Sequence, residues 1–353
     1  MQKKRILFLG ETYRADAITW MNGLKEFGDF EIVSWELQTR STGVSRLKRL
    51  VELAKSFLTI RSIAKKFNAD MVIAERTTSY GFLAALSGIK PIAIAQQGIT
   101  DLWPENSPLY PFKKIIQNYA FKKADLIHAW GPVMAEHMKK SDVNMSKVMI
   151  LPKGINLSLF EYRDTTNEPK LRAIVTRSLL PEYKHEIILR AFSSLKKQKI
   201  PFELTIIGDG ILFEKLKLLS KELNIENQVI FTGRINNNDL PKLLQQSNLY
   251  ISMPTTEGVS ASLFEAMACG SFPIVTDLPG NRSWINQKEN GILVESENSK
   301  KLAEEIIWSF QNPEIRQKAV LENRKFIENN ANYAVNMKKI ADEYHKLINT
   351  KSN

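Results

Sequence analysis

The stretch ISMPTTEGVSASLFEAMACGSFPIVTD, residues 251–277, combines a strand, a loop, a helix and a second strand. Its first apolar run ends at Met253 and passes into a loop that contains Pro, Thr and Gly, which is typical of a turn. We expect a helix over 260–268 with Gly270 at its C-terminal end, and a strand over 272–276. The stretch is therefore a βαβ crossover, the repeating unit of a parallel sheet.

Two carboxylates mark the helix of this crossover. Glu257 precedes it and Glu265 lies near its middle, with seven residues between them. Gly258 stands at the predicted N-terminus of the helix, where backbone N–H groups can bind an anion. The plainer interpretation is an ordinary crossover in which Glu257 caps the helix and Glu265 lies on the surface.

Strand and helix patterns alternate along the whole chain. In the first half, strands are predicted at 5–10, 30–35, 69–74, 91–95, 124–128 and 147–151. In the second half, strands are predicted at 171–176, 202–208, 228–231, 248–252 and 272–276. Two such series predict an α/β protein with two Rossmann-like, doubly wound domains that face a central cleft.

A turn-rich segment, PKGIN at 152–156, separates the two series. We therefore predict an N-terminal domain at 1–155 and a C-terminal domain at 156–335, and we expect a C-terminal helix at 336–353 to join the first domain. The length of 353 residues agrees with two domains, because single cores rarely grow that large.

The composition excludes several classes of protein. The one cysteine, Cys269, rules out an internal disulfide and fits a reducing compartment, and four His with one Cys argue against a structural zinc site. No apolar run approaches the roughly 20 residues of a membrane-spanning helix. The N-terminal MQKKRILFLGETYR resembles a first strand rather than a signal peptide. We expect a cytoplasmic protein, either free or peripheral on the inner face of the membrane.

Positive charge is concentrated in the first half of the chain. Residues 1–160 hold 23 Lys and Arg against 14 Asp and Glu, whereas residues 161–353 hold 26 against 24. Within the first half, segment 40–67 has eight basic residues and one acid, with apolar residues at helical spacing. Such a helix either lies on an anionic membrane surface or packs with a solvated basic face. Nucleic acid is a weaker alternative, since no aromatic residues are interleaved.

Cations and glycine turns follow the strands of the second half. Arg177 ends its first strand, and Lys184 follows seven residues later. GDG at 208–210 and FTGRI at 231–235 end the next two strands. Because parallel strands bring their carboxyl ends to one edge of a sheet, these residues are expected near Glu257. Two cations at such an edge suit a diphosphate, although each alone is compatible with a solvated surface residue.

These residues resemble a known family. The order Arg177…Lys184, GDG, FTGRI and PTTEGVSASLFEAMACGSFPIVTD is similar to the C-terminal domain of the retaining glycosyltransferases of family 4, which have the GT-B fold and a Glu–seven residues–Glu motif. PKGINLSLF at 152–160 resembles the family's P-x-G-V-D-x-x-x-F hinge, with Asn156 in place of Asp, and LPGNRSWINQKENGILV at 278–294 resembles its glycine-rich segment.

The resemblance implies a binding site for a nucleotide sugar, with a UDP-sugar favoured, and no metal or other cofactor. Arg177 and Lys184 would bind the diphosphate, Glu265 the ribose hydroxyls and Glu257 the donor sugar. The remaining donor-binding residues implied are Gly208, Arg234, Ile235, Gly258, Val259 and Ser260.

The first half resembles a subgroup of the family more weakly. The family often has a His facing the donor sugar, but the corresponding strand end here reads AQQG, so Asp101 is the nearest charged replacement and a candidate catalytic residue. Glu11, Arg14 and Gln97 are candidates for the acceptor side. Alternatively, Asp101 caps a turn. A second candidate, His128, ends a strand and is interpreted as structural.

Three functions remain. The first is a retaining glycosyltransferase that moves a hexose-type sugar from a nucleotide sugar to a lipid-linked or cell-surface polysaccharide acceptor, as in lipopolysaccharide or capsule synthesis. The second is a nucleotide-sugar-binding protein without transfer activity, acting as a subunit or sensor. The third is a dinucleotide-dependent oxidoreductase, which the lack of a G-x-G-x-x-G turn opposes.

Overall fold

The computed structural model describes residues 3–38, 45–102, 105–165 and 168–352. The chain forms two compact units, the first made of Met1–Lys153 and Tyr333–Asn353 and the second of Gly154–Asn332. The units thus divide after Lys153 and after Asn332, whereas the sequence placed the divisions after 155 and 335.

A parallel sheet forms the middle of the first unit. In the described part of the chain its strands are β1 (Arg5–Leu9), β2 (Glu31–Trp35), β3 (Met71–Glu75), β4 (Ile92–Ala95), β5 (Leu126–Ala129) and β6 (Val148–Ile150). They are ordered β2-β1-β3-β4-β5-β6. The chain leaves β1 for β2 on one side and then returns to β3 on the other. The topological switch point of this sheet therefore lies between β1 and β3.

Helices cover both faces of this sheet. They are α1 (Ala15–Gly28), α2 (Ser45–Phe67), α3 (Phe82–Ser87), α4 (Tyr110–Lys123), α5 (Pro132–Lys140) and the C-terminal α13 (Tyr333–Ser352). Helix α13 packs on α1, where the Tyr333 hydroxyl donates to the Thr19 carbonyl at 2.8 Å. Helix α3 packs against both α2 and α4, so these three helices share one face.

The second unit repeats this plan. Its strands are β7 (Leu171–Thr176), β8 (Phe202–Ile207), β9 (Val229–Gly233), β10 (Leu249–Ser252), β11 (Phe272–Thr276) and β12 (Ile292–Val294). Its helices are α6 (His185–Lys197), α7 (Phe213–Glu222), α8 (Leu240–Gln245), α9 (Ala261–Cys269), α10 (Pro279–Arg282), α11 (Ser299–Gln311) and α12 (Pro313–Asn330). The parallel order β12-β11-β10-β7-β8-β9 puts its switch point between β7 and β10.

The crossover at 251–277 folds as its sequence predicts. Helix α9 begins after Ser260, whose Oγ accepts the Leu263 N–H at 3.3 Å, and it ends before Gly270. Ser is a favoured N-cap because its hydroxyl satisfies an N–H that has no partner within the helix. The strands on either side are buried on both faces, as expected of a parallel sheet covered by helices.

The basic segment 40–67 contains helix α2, and residues 40–44 lie outside the described residues. Ile60 and Ala64 are buried, whereas Val51 and Leu58 are exposed. Some apolar residues of α2 therefore pack in the interior and others face solvent. This agrees both with a packed helix and with a helix that lies on a membrane surface. Among the described residues, no helix is both long and apolar enough to cross a membrane.

Candidate functional site

Arg177 lies at the switch point of the second sheet, directly after β7. Its Nε donates to Ser252 Oγ at the end of β10 (3.2 Å), and its Nη2 donates to Ser260 Oγ (2.6 Å) and forms an ion pair with Glu257. Burial disfavours the charged guanidinium, but Tyr250 and Glu257 nearby raise its pKa above the usual value. The Arg177–Glu257 pair therefore joins the loop after β7 to the loop after β10.

The loop that carries Glu257 packs closely against Gly280. A Cβ atom on Gly280, in α10, would lie 2.3 Å from the Glu257 carbonyl oxygen and 2.6 Å from that of Gly258. On the other side, the Thr255 N–H donates to the Glu182 carbonyl at 2.9 Å. These contacts set the backbone of Gly258, Val259 and Ser260 at the N-terminus of α9.

The glycine turn after β8 is also placed against Arg177. Gly208 has φ of 136°, and a Cβ there would lie 2.5 Å from the Arg177 carbonyl oxygen. Its N–H donates to the Gly233 carbonyl at 3.0 Å, at the end of β9. Arg234 is exposed and Ile235 half-buried just beyond. The sheet thus brings the predicted donor-binding turns to one edge.

Lys184 pairs with Glu297, whereas the sequence predicts a phosphate-binding cation near Arg177. Its Nζ lies 2.6 Å from Oε1 of the exposed Glu297, and this hydrogen bond raises the pKa of Lys184. The loop before it is nonetheless held near Arg177, because the Arg177 guanidinium lies 5.5 Å from the centre of the Tyr183 ring. His185 follows as the first residue of α6 and is buried, which lowers its pKa to about 4. The sequence prediction missed His185.

Glu265 presents a carboxyl group to the same region. Burial raises the pKa of Glu265 to about 7, while the charge of Arg177 acts to lower it. Among the described residues, its carboxyl group has no hydrogen-bond partner. A half-buried carboxyl of this kind is suited to accept hydrogen bonds from a ligand.

The predicted acceptor-side residues lie together at the switch point of the first sheet. Glu11, after β1, accepts hydrogen bonds from both terminal nitrogens of Arg76 at 2.9 and 2.7 Å and from Arg14 at 3.3 Å. Burial would raise the pKa of Glu11, but the charges of Arg76 and Arg14 hold it below its usual value. Gln97 Nε2 donates to Glu75 Oε1 at 3.1 Å, and the Glu11 N–H donates to Glu75 Oε2 at 3.2 Å.

Glu75 and Arg76 were missed at the sequence level. The signal available was a polar pair, Glu-Arg, directly after the buried strand MVIA, the same pattern that marked Arg177. Polar residues at a strand's carboxyl end are candidates for ligand contact in doubly wound folds.

Asp101 is held by the protein itself. Its Oδ2 accepts the Thr77 N–H at 2.7 Å and the Thr77 hydroxyl at 3.0 Å, and its Oδ1 accepts the Gln97 N–H at 3.4 Å. Burial raises its pKa, and these hydrogen bonds counteract the rise. Asp101 thus connects the backbone of Gln97 to Thr77, and its catalytic role stays a prediction.

Two further candidates lie in packed interiors. His128 Nε2 is 2.6 Å from the Tyr344 hydroxyl, its ring stacks on Trp130, and burial lowers its pKa to about 3. Burial raises the pKa of the Cys269 thiol to about 12, which leaves it protonated and unreactive. The position of His128 agrees with the structural role that the sequence indicates, and Cys269 is buried in α9.

The second unit matches a known family. Residues 161–326 match the model of the glycosyl transferases group 1. An uncharacterized glycosyltransferase of Methanocaldococcus jannaschii is 27% identical over 254 residues, which cover 69% of this chain and 64% of that protein. The N-acetylgalactosamine-N,N'-diacetylbacillosaminyl-diphospho-undecaprenol 4-alpha-N-acetylgalactosaminyltransferase of Campylobacter jejuni is 25% identical, over 71% of this chain and 69% of that protein. This chain spans 64% of the length of the Methanocaldococcus protein, and 46% and 41% of the lengths of two further relatives.

The fold has solved counterparts. Anabaena HepE, crystallised with UDP, superposes with a TM-score of 0.78 over 98% of this chain and 100% of its own, at 16% identity. The architecture is therefore that of the GT-B class, and the predicted fold class is confirmed. The match of residues 161–326 to the glycosyl transferases of group 1 confirms the resemblance of the second unit at that level.

We predict that Gly280→Ala disturbs the Glu257 loop. The added methyl group would meet two carbonyl oxygens at 2.3 and 2.6 Å, so the loop must shift. Overpacking of this kind costs about 1–3 kcal/mol, measurable by chemical denaturation. The matched control is Gly98→Ala, where the nearest atom would be 3.5 Å away and no loss is expected. Equal stability of the two variants would contradict the close packing of this loop.

Proposed function

We propose that the protein is a retaining, metal-independent hexosyltransferase that takes a nucleotide sugar, with UDP-sugars favoured. The observation that carries the proposal is the Arg177–Glu257 pair at the β7/β10 switch point, with the carboxyl of Glu265 near Arg177. Ligands of doubly wound folds bind outside the carboxyl ends of the strands at this point. The matches to group 1 glycosyltransferases and to HepE crystallised with UDP support the same assignment.

In this proposal, different residues contact different parts of the donor. Glu265 accepts the ribose hydroxyls, the N–H groups of Gly258 to Ser260 bind phosphate at the start of α9, and Glu257 contacts the sugar. The nucleoside base lies near Gly233–Ile235. Glu257 and Glu265 form the Glu–seven residues–Glu motif of family 4, so the proposal includes that finer family.

The chemistry requires stabilisation of a leaving group. The bond between the anomeric carbon and the diphosphate oxygen breaks as the bond to the acceptor oxygen forms, and negative charge grows on the diphosphate. Arg177 and Lys184 are the cations that stabilise it, in place of a metal ion. Lys184 can exchange Glu297 for phosphate, because Glu297 is an exposed partner.

The alternative is a binding subunit or sensor without transfer activity. The absence of the expected His in the first unit favours it, whereas the complete set of Arg177, Lys184, Glu257 and Glu265 favours catalysis. Release of UDP from a UDP-sugar separates the two, since a sensor binds the donor without consuming it.

We infer an acceptor that is lipid-linked or a cell-surface polysaccharide. The Campylobacter relative, by its name, acts on a diphospho-undecaprenol acceptor. The first unit of this chain carries the basic surplus that an acidic lipid acceptor would favour. We propose a cytoplasmic protein that is peripheral on the inner face of the membrane.

Two helices on one face of the first unit support contact with an anionic membrane. On α4, Phe112 and Ile115 are 59% and 67% exposed, and Lys122 and Lys123 flank this apolar side. On α2, part of segment 40–67, Leu58 is 69% exposed and shares a side with Val51 and Lys55. Exposed apolar side chains between lysines suit insertion at the headgroup level of anionic lipid.

We predict that Glu265→Gln weakens UDP binding and yet stabilises the protein at pH 8. The pKa of Glu265 is about 7 in the folded state against 4.5 for a free Glu. The folded state thus keeps a proton that the unfolded state loses between these values, and stability falls as pH rises through that window. Gln removes this cost, so a gain on the order of 1–3 kcal/mol at pH 8 should shrink toward pH 5. Unchanged UDP affinity by calorimetry would contradict the ribose role.

We predict that Lys184→Ala lowers kcat far more than donor affinity, because the leaving-group charge is largest in the transition state. A loss in kcat on the order of 10²–10³ is expected, with sugar transfer measured by UDP release. The control is Arg190→Ala, an exposed cation on α6, which should transfer at the wild-type rate. Equal losses in kcat and in donor affinity would refute the charge role.

We predict that Phe112→Ser with Ile115→Ser reduces binding to vesicles of phosphatidylcholine with phosphatidylglycerol. Binding of the wild type should fall as salt rises and should be weak on phosphatidylcholine alone. Leu321→Ser, at an exposed apolar residue of the second unit, is the control. Sedimentation with vesicles measures the effect, and wild-type binding by the double variant would exclude α4 from the contact.

A further inference from the structure

We propose that Glu75 and Arg76, together with Glu11 and Gln97, form a binding site for a hydroxyl-rich sugar unit of the acceptor. The inference rests on the proposed transferase function and adds to it two residues and a ligand class. The site lies at the carboxyl ends of β1, β3 and β4, at the switch point of the first sheet.

The backbone at Arg76 is strained in a way that the cluster explains. Arg76 has φ of 62°, a left-handed conformation that is uncommon for side chains other than Gly, Asn and Asp. It also begins a π-helical turn, Arg76–Gly81, before α3. Left-handed residues and π-turns persist where surrounding contacts over-determine them, and both concentrate at functional sites. In this conformation the Arg76 guanidinium donates to Glu11.

The contacts of the cluster hold each group in one orientation. Arg76 donates to both carboxylate oxygens of Glu11, at 2.9 and 2.7 Å, in a two-pronged geometry. Glu75 accepts the Gln97 amide at 3.1 Å and the Glu11 N–H at 3.2 Å. Gln97 is in turn set by Asp101, through its N–H. Groups fixed before a ligand arrives bind it at lower entropic cost.

The polar groups of the cluster suit hydroxyl groups. Arg76 and Arg14 share Glu11, and Lys153 is paired with Asp16 at 2.9 Å. Burial raises the pKa of Glu75 to about 7, against the charge of Lys153. Sugar hydroxyls can donate to the carboxyl oxygens of this cluster and accept from its amide and guanidinium N–H groups.

The site is accessible as well as ordered. The side chain of Arg76 is 26% exposed, and Gln97 is half-buried, so a ligand can reach the cluster from solvent. Glu75 is only 2% exposed and provides the inner wall. A sugar would therefore contact Arg76 and Gln97 first and approach Glu75 last.

The test measures, by saturation-transfer NMR, the binding of methyl glycosides to the full-length protein saturated with UDP. We expect Arg76→Lys, which keeps the charge but loses the two-pronged geometry, and Glu75→Gln each to weaken glycoside binding about tenfold or more. The control is Arg5→Lys. Arg5 pairs with Glu31 at 3.1 Å at the opposite edge of the same sheet, so this substitution is expected to leave glycoside binding unchanged. Thermal unfolding of each variant shows that it is folded.

The outcomes separate this inference from the proposed function. If UDP binds and both variants bind glycosides as the wild type does, the site is wrong and the donor assignment stands. If the UDP-loaded wild type binds no glycoside, the site is also wrong. If the variants lose UDP affinity in parallel, the effect is general and the inference is overturned. If the wild type does not bind UDP, the UDP preference of the proposed function fails by itself.

Discussion

The ion pair between Arg177 and Glu257 is the interaction on which the second unit's site depends. It joins the loop after β7 to the loop after β10, the two strands between which the sheet reverses its order. A buried ion pair is costly unless further hydrogen bonds satisfy it, and here Ser252 and Ser260 supply them. Ser260 is also the N-cap of α9, so the same hydroxyl that orients Arg177 starts the helix of the Glu–Glu motif.

The first unit uses the same device at its own switch point. Glu11 follows β1 and Arg76 follows β3, and their two-pronged pair joins the loops after these two neighbouring strands. The order of the charges is reversed, because the arginine follows the first strand of the pair in one unit and the second strand in the other. In each unit the charged pair connects the two loops that leave the sheet on either side of its switch point.

Much of this organisation can be predicted from the sequence, for reasons that are local. Buried parallel strands are short apolar runs, so eleven of the described strands were predicted, whereas β12, three residues long, was missed. Arg177 directly follows such a run, Glu257 and Ser260 lie in the loop after another, and all three were identified. Glu75 and Arg76 were not identified, although they follow a buried run as Arg177 does, and only the sheet order shows that they lie beside Glu11. The partner of Lys184 was also beyond prediction, because Glu297 lies more than a hundred residues away along the chain.

The two switch points differ in the charge that remains after their ion pairs are formed. In the second unit, Lys184 adds a cation whose partner, Glu297, is exposed and can be displaced by phosphate. In the first unit, the added group is Glu75, and burial raises the pKa of its carboxyl to about 7. We therefore propose a diphosphate as the ligand of the second unit's site and the hydroxyl groups of a sugar as the ligand of the first unit's site. Under this proposal, one fold with the same kind of ion pair binds two different classes of ligand.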